Sequence, residues 1–287
     1  MKIAVTGKNG QVVQSLLARD DDGFEIIALG RPELDLAAPE TIYPALAAVQ
    51  PDLVISAAAY TAVDKAEDEP DLAFAINAIG AGAVSKAAAK LNIPIIHIST
   101  DYVFDGTAEC AYVESDMPNP QNVYGISKLE GERLVALNNQ NHLILRTSWV
   151  YSPFGNNFMK TILRLSENRS EIQVVFDQVG NPTSALEIAS AILHVLKNHK
   201  LNNSFNGWGV YNFSGGTSCC WADFAERILN LSVNKNEIQC RIVHIPSESY
   251  PTRAKRPMNS RLSNAKFNNS FNYKSLSLDE AIRDALP

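Results

Sequence analysis

The chain has 287 residues, 46% of them apolar and 20% charged, with a net charge of −6. That length supports one large or two modest domains around a buried core, and the acidic balance argues against non-specific binding to nucleic acid or membrane surfaces. Four cysteines (Cys110, Cys219, Cys220 and Cys240) lack metal-ligand spacing and point to reduced thiols. With no signal-like apolar start and no run near ~20 apolar residues, a cytoplasmic protein is expected.

Residues 2–6 read as a buried strand, 7–10 as a turn and 11–19 as a helix. Thr6-Gly7-Lys8-Asn9-Gly10-Gln11-Val12 therefore lies between a strand and a helix, the context of a dinucleotide-phosphate loop. Gly7 permits the tight turn and Gly10 lets the backbone approach a pyrophosphate at the helix N-terminus. Asn9, Gln11 and Val12 complete the expected cradle. The spacing is G-x-x-G, with Val13 where a third glycine is common. The second strand, 24–29, is followed by Gly30-Arg31 with no acid at its tip. An Arg there accommodates a 2′-phosphate, so NADPH is expected over NADH. Asp35 and Leu36 would flank the adenine. The third strand, 53–57, runs into Ala58-Ala59-Tyr60-Thr61, where small side chains let a ligand approach the backbone.

A helix over 72–90 and a strand over 94–100 follow, the strand ending in Ser99-Thr100-Asp101. Next comes Tyr124-Gly125-Ile126-Ser127-Lys128, then a strand over 143–150. A Tyr and a Lys four residues apart share one helix face. The ammonium is expected to lower the phenol's pKa, ordinarily about 10, making Tyr124 an acid–base for a carbonyl. Thr100 would hold the same carbonyl oxygen. Beyond residue 150 the pattern loosens into helices over 156–167, 185–197 and 221–229 and strands over 172–176 and 240–245. A last helix, 281–286, stands behind a Ser277/Glu280 capping box. Asn-rich runs at 202–206 and 268–272 read as surface loops. The alternation implies an α/β fold with a Rossmann-like doubly wound parallel sheet in 1–150 and a smaller C-terminal substrate-binding lobe in 151–287, some of whose segments return to the main domain.

Together these segments resemble the extended short-chain dehydrogenase/reductase superfamily and, more narrowly, the dTDP-4-dehydrorhamnose reductase family. The resemblance covers nearly the whole chain. It is carried by the phosphate turn, by 57–67 from Ala57-Ala58-Ala59-Tyr60 onward, by Asn77-Ala78-Ile79-Gly80-Ala81, and by Ser99-Thr100-Asp101-Tyr102-Val103-Phe104-Asp105-Gly106. It continues through Tyr124–Lys128, Arg146-Thr147-Ser148-Trp149-Val150-Tyr151, Asn156-Asn157-Phe158, Asp177-Gln178-Val179-Gly180-Asn181-Pro182-Thr183 and Arg256-Pro257-Met258-Asn259-Ser260.

The resemblance implies reduction of the C4 ketone of dTDP-4-dehydro-β-L-rhamnose to dTDP-L-rhamnose, for cell-surface polysaccharide, with a nicotinamide hydride. Tyr124 would protonate the oxygen, Lys128 would lower its pKa and hold the nicotinamide ribose, and Thr100 would orient the carbonyl. Asp101, Trp149, Asn157 and Arg256 become substrate contacts, Arg256 within a cationic patch shared with Arg253 and Lys255. The implied partner is a nucleotide sugar, the implied assembly a monomer or homodimer. Ser56 stands where family members commonly have Asn. Ser15 stands where some have a Glu of a metal-linked dimer, which leaves Mg²⁺ open, with Glu187 as the candidate ligand. The alternatives are another nucleotide-sugar 4-ketoreductase, an epimerase or dehydratase of the same superfamily, or a non-catalytic NADP-binding regulatory subunit. Dehydratases follow Thr-Asp with Glu, and here Tyr102 follows Asp101.

Overall fold

The computed structural model describes residues 1–19, 23–201, 205–232 and 240–286. In chain order, β1 (Lys2–Thr6), α1 (Gln11–Ala18), β2 (Glu25–Leu29), α2 (Ile42–Val49) and β3 (Leu53–Ser56) open the fold. A short helix α3 (Val63–Ala66) precedes α4 (Pro70–Phe74), which runs through a π-helical turn, Ala75–Gly80, into α5 (Ala81–Lys90). Then come β4 (Ile95–Thr100), α6 (Val123–Asn138), β5 (His142–Thr147) and β6 (Val150–Tyr151). The later chain forms α7 (Phe158–Ser166), β7 (Glu171–Val175), β8 (Val179–Gly180), β9 (Thr183–Ser184), α8 (Ala185–Leu201) and β10 (Gly209–Asn212). It closes with β11 (Cys219–Cys220), α9 (Trp221–Leu231), β12 (Arg241–Ile245), α10 (Ala265–Phe271) and α11 (Leu278–Ala285).

Six strands form a parallel sheet in the order β2-β1-β3-β4-β5-β10. Alternate side chains of a strand point to opposite faces, and both faces here are covered. Ile3, Val5, Leu53 and Ile55 pack with Leu16, Ile188, Ile192, Phe213 and Phe267 on one side. Ala4, Val54, Ile95 and Ile144 pack with Ile42, Leu46, Val84 and Val135 on the other. The chain leaves β1 for β2 on one side and returns to β3 on the other, which opens a crevice at the strand C-termini where such sheets bind ligands. A second core gathers Tyr151, Met159, Ile162, Ile172, Phe224, Ile228 and Ile282 from α7, α9, α11 and the parallel β7–β12 pair.

The later segments include α8, packed on α1, and β10, which completes the main sheet beside β5. Residues 268–272 differ from expectation. They form the end of α10 and its left-handed stop at Asn272 (φ 49°), because Phe267 and Phe271 are drawn into the main core; of the other Asn-rich run, 202–204 lie outside the described residues. The helix 70–90 is longer and more apolar than expected, enough to cross a membrane, yet 56% of its most apolar window is buried inside the protein. Val13, in place of the third glycine, is 1% exposed and belongs to the core beneath α1.

Helix α6 lies unusually close to its neighbours at glycines. A Cβ on Gly131 would stand 2.1 Å from the Asn77 carbonyl oxygen and one on Gly125 2.2 Å from that of Tyr102. Both obstacles are backbone, so relief requires moving a helix. Gly131→Ala is expected to lose about 2–3 kcal/mol or more of unfolding free energy in urea titrations; a loss under about 0.5 kcal/mol would refute the tight packing.

Candidate active site

Thr6 ties the ends of β1 and β3 together, its Oγ1 accepting the N–H groups of Ala57 and Ala58, each at 3.1 Å. Gly7 follows at φ 96°, donating its N–H to the Leu29 carbonyl at 2.6 Å. A Cβ there would lie 3.4 Å from that of Ala58. Helix α1 then starts at Gly10 with no side-chain cap and no acid in its first turn. Its leading N–H groups and dipole therefore face outward unanswered, which is an anion cradle. A Cβ on Gly10 would meet only Val13, at 3.7 Å, so the space over the helix N-terminus is open. These residues fit a dinucleotide.

Other predicted cofactor residues fall differently around the cradle. Asn9 is exposed and Val12 half-buried beside it. Gln11 reaches across to the lobe, accepting from Ser152 Oγ (2.8 Å) and Asn157 Nδ2 (3.0 Å). Asn157 is the N-cap of α7, its Oδ1 accepting from Lys160 N at 3.1 Å. Its polar atoms are thus committed to the cap, Gln11 and the Ser152 carbonyl (2.8 Å), and it joins the cradle to the lobe. Arg31 is exposed at the tip of β2, and its carbonyl accepts from Lys8 Nζ (3.1 Å). Lys8 also pairs with Glu33 at 2.6 Å, an acid at this tip that strand-end reading missed because it follows in the next turn. Asp35 caps Ala37 N at 3.0 Å, while Leu36 turns into the core at 6% exposure. Ala58, Ala59 and Tyr60 are half-buried and Thr61 exposed along the crevice. Asn77, in the π turn, holds this loop by exchanging hydrogen bonds with the Tyr60 backbone (2.8 and 3.1 Å) and donates to Ser127 Oγ at 3.0 Å.

The proton-transfer set gathers where β4 and α6 converge. Thr100 is 5% exposed and donates to Asp101 Oδ1 at 3.0 Å. Asp101 is 2% exposed with Oδ2 unpartnered; burial pushes its pKa up to about 7, against the pull of the Ser260 and Thr100 hydroxyls. Helix α6 begins at Asn122, whose Oδ1 accepts from Gly125 N at 2.8 Å, so Tyr124 sits in its first turn. Burial raises the Tyr124 pKa well above the usual phenol value, and the Thr100 hydroxyl, not a lysine, supplies the opposing pull. This corrects the expectation that Lys128 lowers the phenol. Lys128 Nζ turns toward β4, donating to the Ile98 carbonyl at 2.6 Å with His97 Nε2 at 3.3 Å. Burial lowers its own pKa to about 8, with Glu132 opposing.

Sequence reading missed the rest of this buried face. Glu132 accepts two bonds from Arg146, at 2.9 and 2.7 Å, and a third from Ser99 at 2.5 Å. No local pattern announces it, because the three residues come from α6, β5 and β4. On the substrate side, Trp149 has φ 46° and stacks on Trp221 at 3.6 Å between centroids. Its ring lies over Gly180, where a Cβ would approach it to 2.5 Å. Arg256 binds Tyr102 Oη at 2.8 Å and Asp64 at 2.5 Å, and the Tyr102 ring meets Tyr124 edge-on at 5.6 Å. Asp101, and Arg256 through Tyr102, thus border the proton-transfer set, while Trp149 sits with Trp221 over Gly180 and Asn157 stays with the cradle. At the candidate metal position, Ser15 is fully buried and Glu187 is 2% exposed. One Glu187 oxygen accepts Leu276 N at 2.5 Å and burial pushes its pKa up to about 7. A hydroxyl at Ser15 and a Glu187 carboxyl with one oxygen already accepting the Leu276 N–H make a sparse donor set for Mg²⁺, which is held through one or two carboxylates with its waters.

A phosphate cradle at the switch point of a parallel sheet, beside a tyrosine held against a threonine, defines a nicotinamide-dependent oxidoreductase of the Rossmann class. The family model described as "RmlD substrate binding domain" matches residues 1–287. A dTDP-4-dehydrorhamnose reductase from Sinorhizobium fredii is 45% identical over 283 residues, covering 99% of this chain and 96% of the relative; that of Escherichia coli K12 is 38% identical over 94% and 92%. Among solved structures, a dTDP-4-dehydrorhamnose reductase from Clostridium acetobutylicum superposes with TM-score 0.92 at 36% identity, covering 99% and 98%. One from Bacillus anthracis, solved in complex with NADP, gives 0.90 at 33% identity over the same shares. The chain belongs to the dTDP-4-dehydrorhamnose reductase family.

The Lys128 geometry makes a testable statement about stability. Its folded pKa of about 8 lies below the ordinary lysine value, so between about pH 8 and 10.5 the unfolded chain holds more protons and this group's penalty fades as pH rises. The stability advantage of Lys128→Met over the natural chain should therefore shrink across that window, by at most about 1.4 kcal/mol per pH unit. Urea denaturation at several pH values measures it. A pH-independent difference contradicts the burial argument.

Proposed function

We propose that this chain reduces the C4 ketone of dTDP-4-dehydro-β-L-rhamnose to dTDP-L-rhamnose with NADPH, supplying rhamnose for cell-surface polysaccharide. The observation that carries the reading is the convergence of Tyr124, Thr100 and the Asp101 carboxyl, bound to Thr100 through Oδ1, at the C-terminal ends of β4 and β5, beside a cradle shaped for a dinucleotide. The names of the relatives agree with it.

Bound NADPH would supply the hydride. Gly7, Asn9, Gly10 and Val12 would hold its pyrophosphate, with Ala58, Ala59, Tyr60 and Thr61 along the crevice, Asp35 near the adenine and Lys128 near the nicotinamide ribose. Tyr124 keeps its proton throughout the neutral range because burial disfavours the phenolate, so it stands ready to give it to an oxygen that gains charge. Thr100 holds that oxygen and, as the group that pulls the Tyr124 pKa down, stabilises the charge left on the phenol. Asp101, with a pKa near neutrality, donates or accepts at a sugar hydroxyl. Trp149, backed by Trp221, offers a flat face to the sugar ring. Arg256 fixes Tyr102 against Tyr124 and presents the remainder of its charge toward the diphosphate. Residues 151–287 supply most of this sugar side, in a monomer or homodimer. Elimination chemistry is disfavoured because Arg256 occupies the Tyr102 hydroxyl, where a dehydratase would need an acid.

Tyr124→Phe should lose roughly 10²–10⁴-fold in kcat, the range of a missing general acid, while binding NADPH with near-natural affinity by fluorescence. A panel of 4-ketohexose nucleotides, with C4 configuration of the product read by NMR, tests the substrate. No turnover on any member would leave only a nucleotide-binding role. Arg31→Ala should raise the KM for NADPH about tenfold, the loss of one exposed charge-assisted contact, with NADH little changed; equal effects on both cofactors would remove Arg31 from 2′-phosphate recognition.

A further inference from the structure

The cradle of Lys128 contains a buried titratable side chain that the reduction does not use. His97 lies in the middle of β4, 1% exposed, directly beside Ser56 of β3 in the parallel register. Its Nδ1 is 3.1 Å from Ser56 Oγ and its Nε2 is 3.3 Å from Lys128 Nζ. Among the described residues, the other partner of Nζ in this cradle is the Ile98 carbonyl, at 2.6 Å.

An ammonium only donates hydrogen bonds. A bond between Nζ and Nε2 therefore requires Nε2 to be bare, which places the single ring proton on Nδ1 and directs it to Ser56 Oγ. An imidazolium would set a second positive N–H against the ammonium. Burial and the Lys128 charge both push the His97 pKa well below its ordinary value. The other charged and titratable groups around Lys128 are Glu132, one turn along α6 and bound to Arg146 of β5, and Tyr124 and Asp101 at the open end. Glu132 is the one that favours the ammonium, and its oxygens are spent on Arg146 and Ser99. Direct solvation of Nζ thus comes from Ile98 and His97.

We propose, resting on the reading of Lys128 as part of the proton-transfer set, that His97 is a positioning residue. Its neutral Nδ1–H form, pinned by Ser56, holds Nζ in the cradle and keeps Lys128 charged at working pH. The chain Ser56–His97–Lys128 ends in the protein interior, so it sets position and charge; it does not deliver protons from solvent.

Two measurements test this. In the cofactor-free protein, ¹⁵N NMR of the His97 ring should show a protonated Nδ1 and a bare Nε2, with titration absent from the ordinary histidine range; titration near the ordinary histidine value of about 6.5, or a proton on Nε2, overturns the proposal. In turnover, His97→Leu should move the alkaline limb of the kcat–pH profile down by about one pH unit or more, the loss of one hydrogen bond to a charged group. His97→Gln, whose Oε1 restores an acceptor, should return the limb to within a few tenths of a unit. A role in packing alone would leave the limb in place in both variants, which also overturns the proposal. If His97→Leu does not fold, or the natural chain reduces no 4-ketohexose nucleotide, the NMR measurement still decides the matter.

Discussion

The buried pair between Glu132 of α6 and Arg146 of β5 determines how α6 sits. Both side chains are about 5% exposed and meet through two hydrogen bonds, with Ser99 adding a third to the carboxylate. Leaving either charge alone in that position would cost about 3–5 kcal/mol. Rotating α6 by even one residue would do that, so the pair selects a single helix rotation. That rotation points Lys128 at β4 and brings Tyr124 out at the end of the sheet beside Thr100. Hydrophobic packing alone is less selective, because a buried face of Gly125, Ser127, Lys128, Gly131, Glu132 and Val135 offers one large apolar side chain.

Close approach and polar pairing therefore act together on α6. Gly125 and Gly131 admit the Tyr102 and Asn77 backbones, and Asn77 in turn links the crevice loop after β3 to Ser127. The π turn that carries Asn77 sits where such turns often mark a functional position. A similar economy joins cradle to lobe: Gln11 opens α1 and Asn157 caps α7, and one hydrogen bond between them connects the two. The first turn of α1 and the first turn of α7 are thereby held in register.

Much of this was legible along the chain. The strands that became β1, β3, β4 and β5 were readable because short apolar runs alternate with helical stretches, and the phosphate turn because glycine placement has a local conformational reason. The Ser277 capping box likewise formed as read, with Glu280 answering the Ser277 N–H at 3.0 Å. Less was legible where a polar side chain had several partners to choose from. Lys128 was expected beside the phenol and instead turned to Ile98 and His97. Leu36 was expected at a ligand and packed in the core. Residues 268–272 were expected as a loop and became helix, because Phe267 and Phe271 found a place in a core built from distant segments.

The sequence by itself determined the class of fold, the turn between β1 and α1 and the placing of Tyr124 and Lys128 on one helix, since each follows from periodicity or from backbone chemistry within a few residues. Tertiary structure alone decided which way Lys128 points, that Trp149 stacks on Trp221, and that Asp101 is buried enough to hold a proton near neutrality. Those outcomes depend on groups far apart in the chain meeting at low dielectric, where burial and a single partner outweigh spacing.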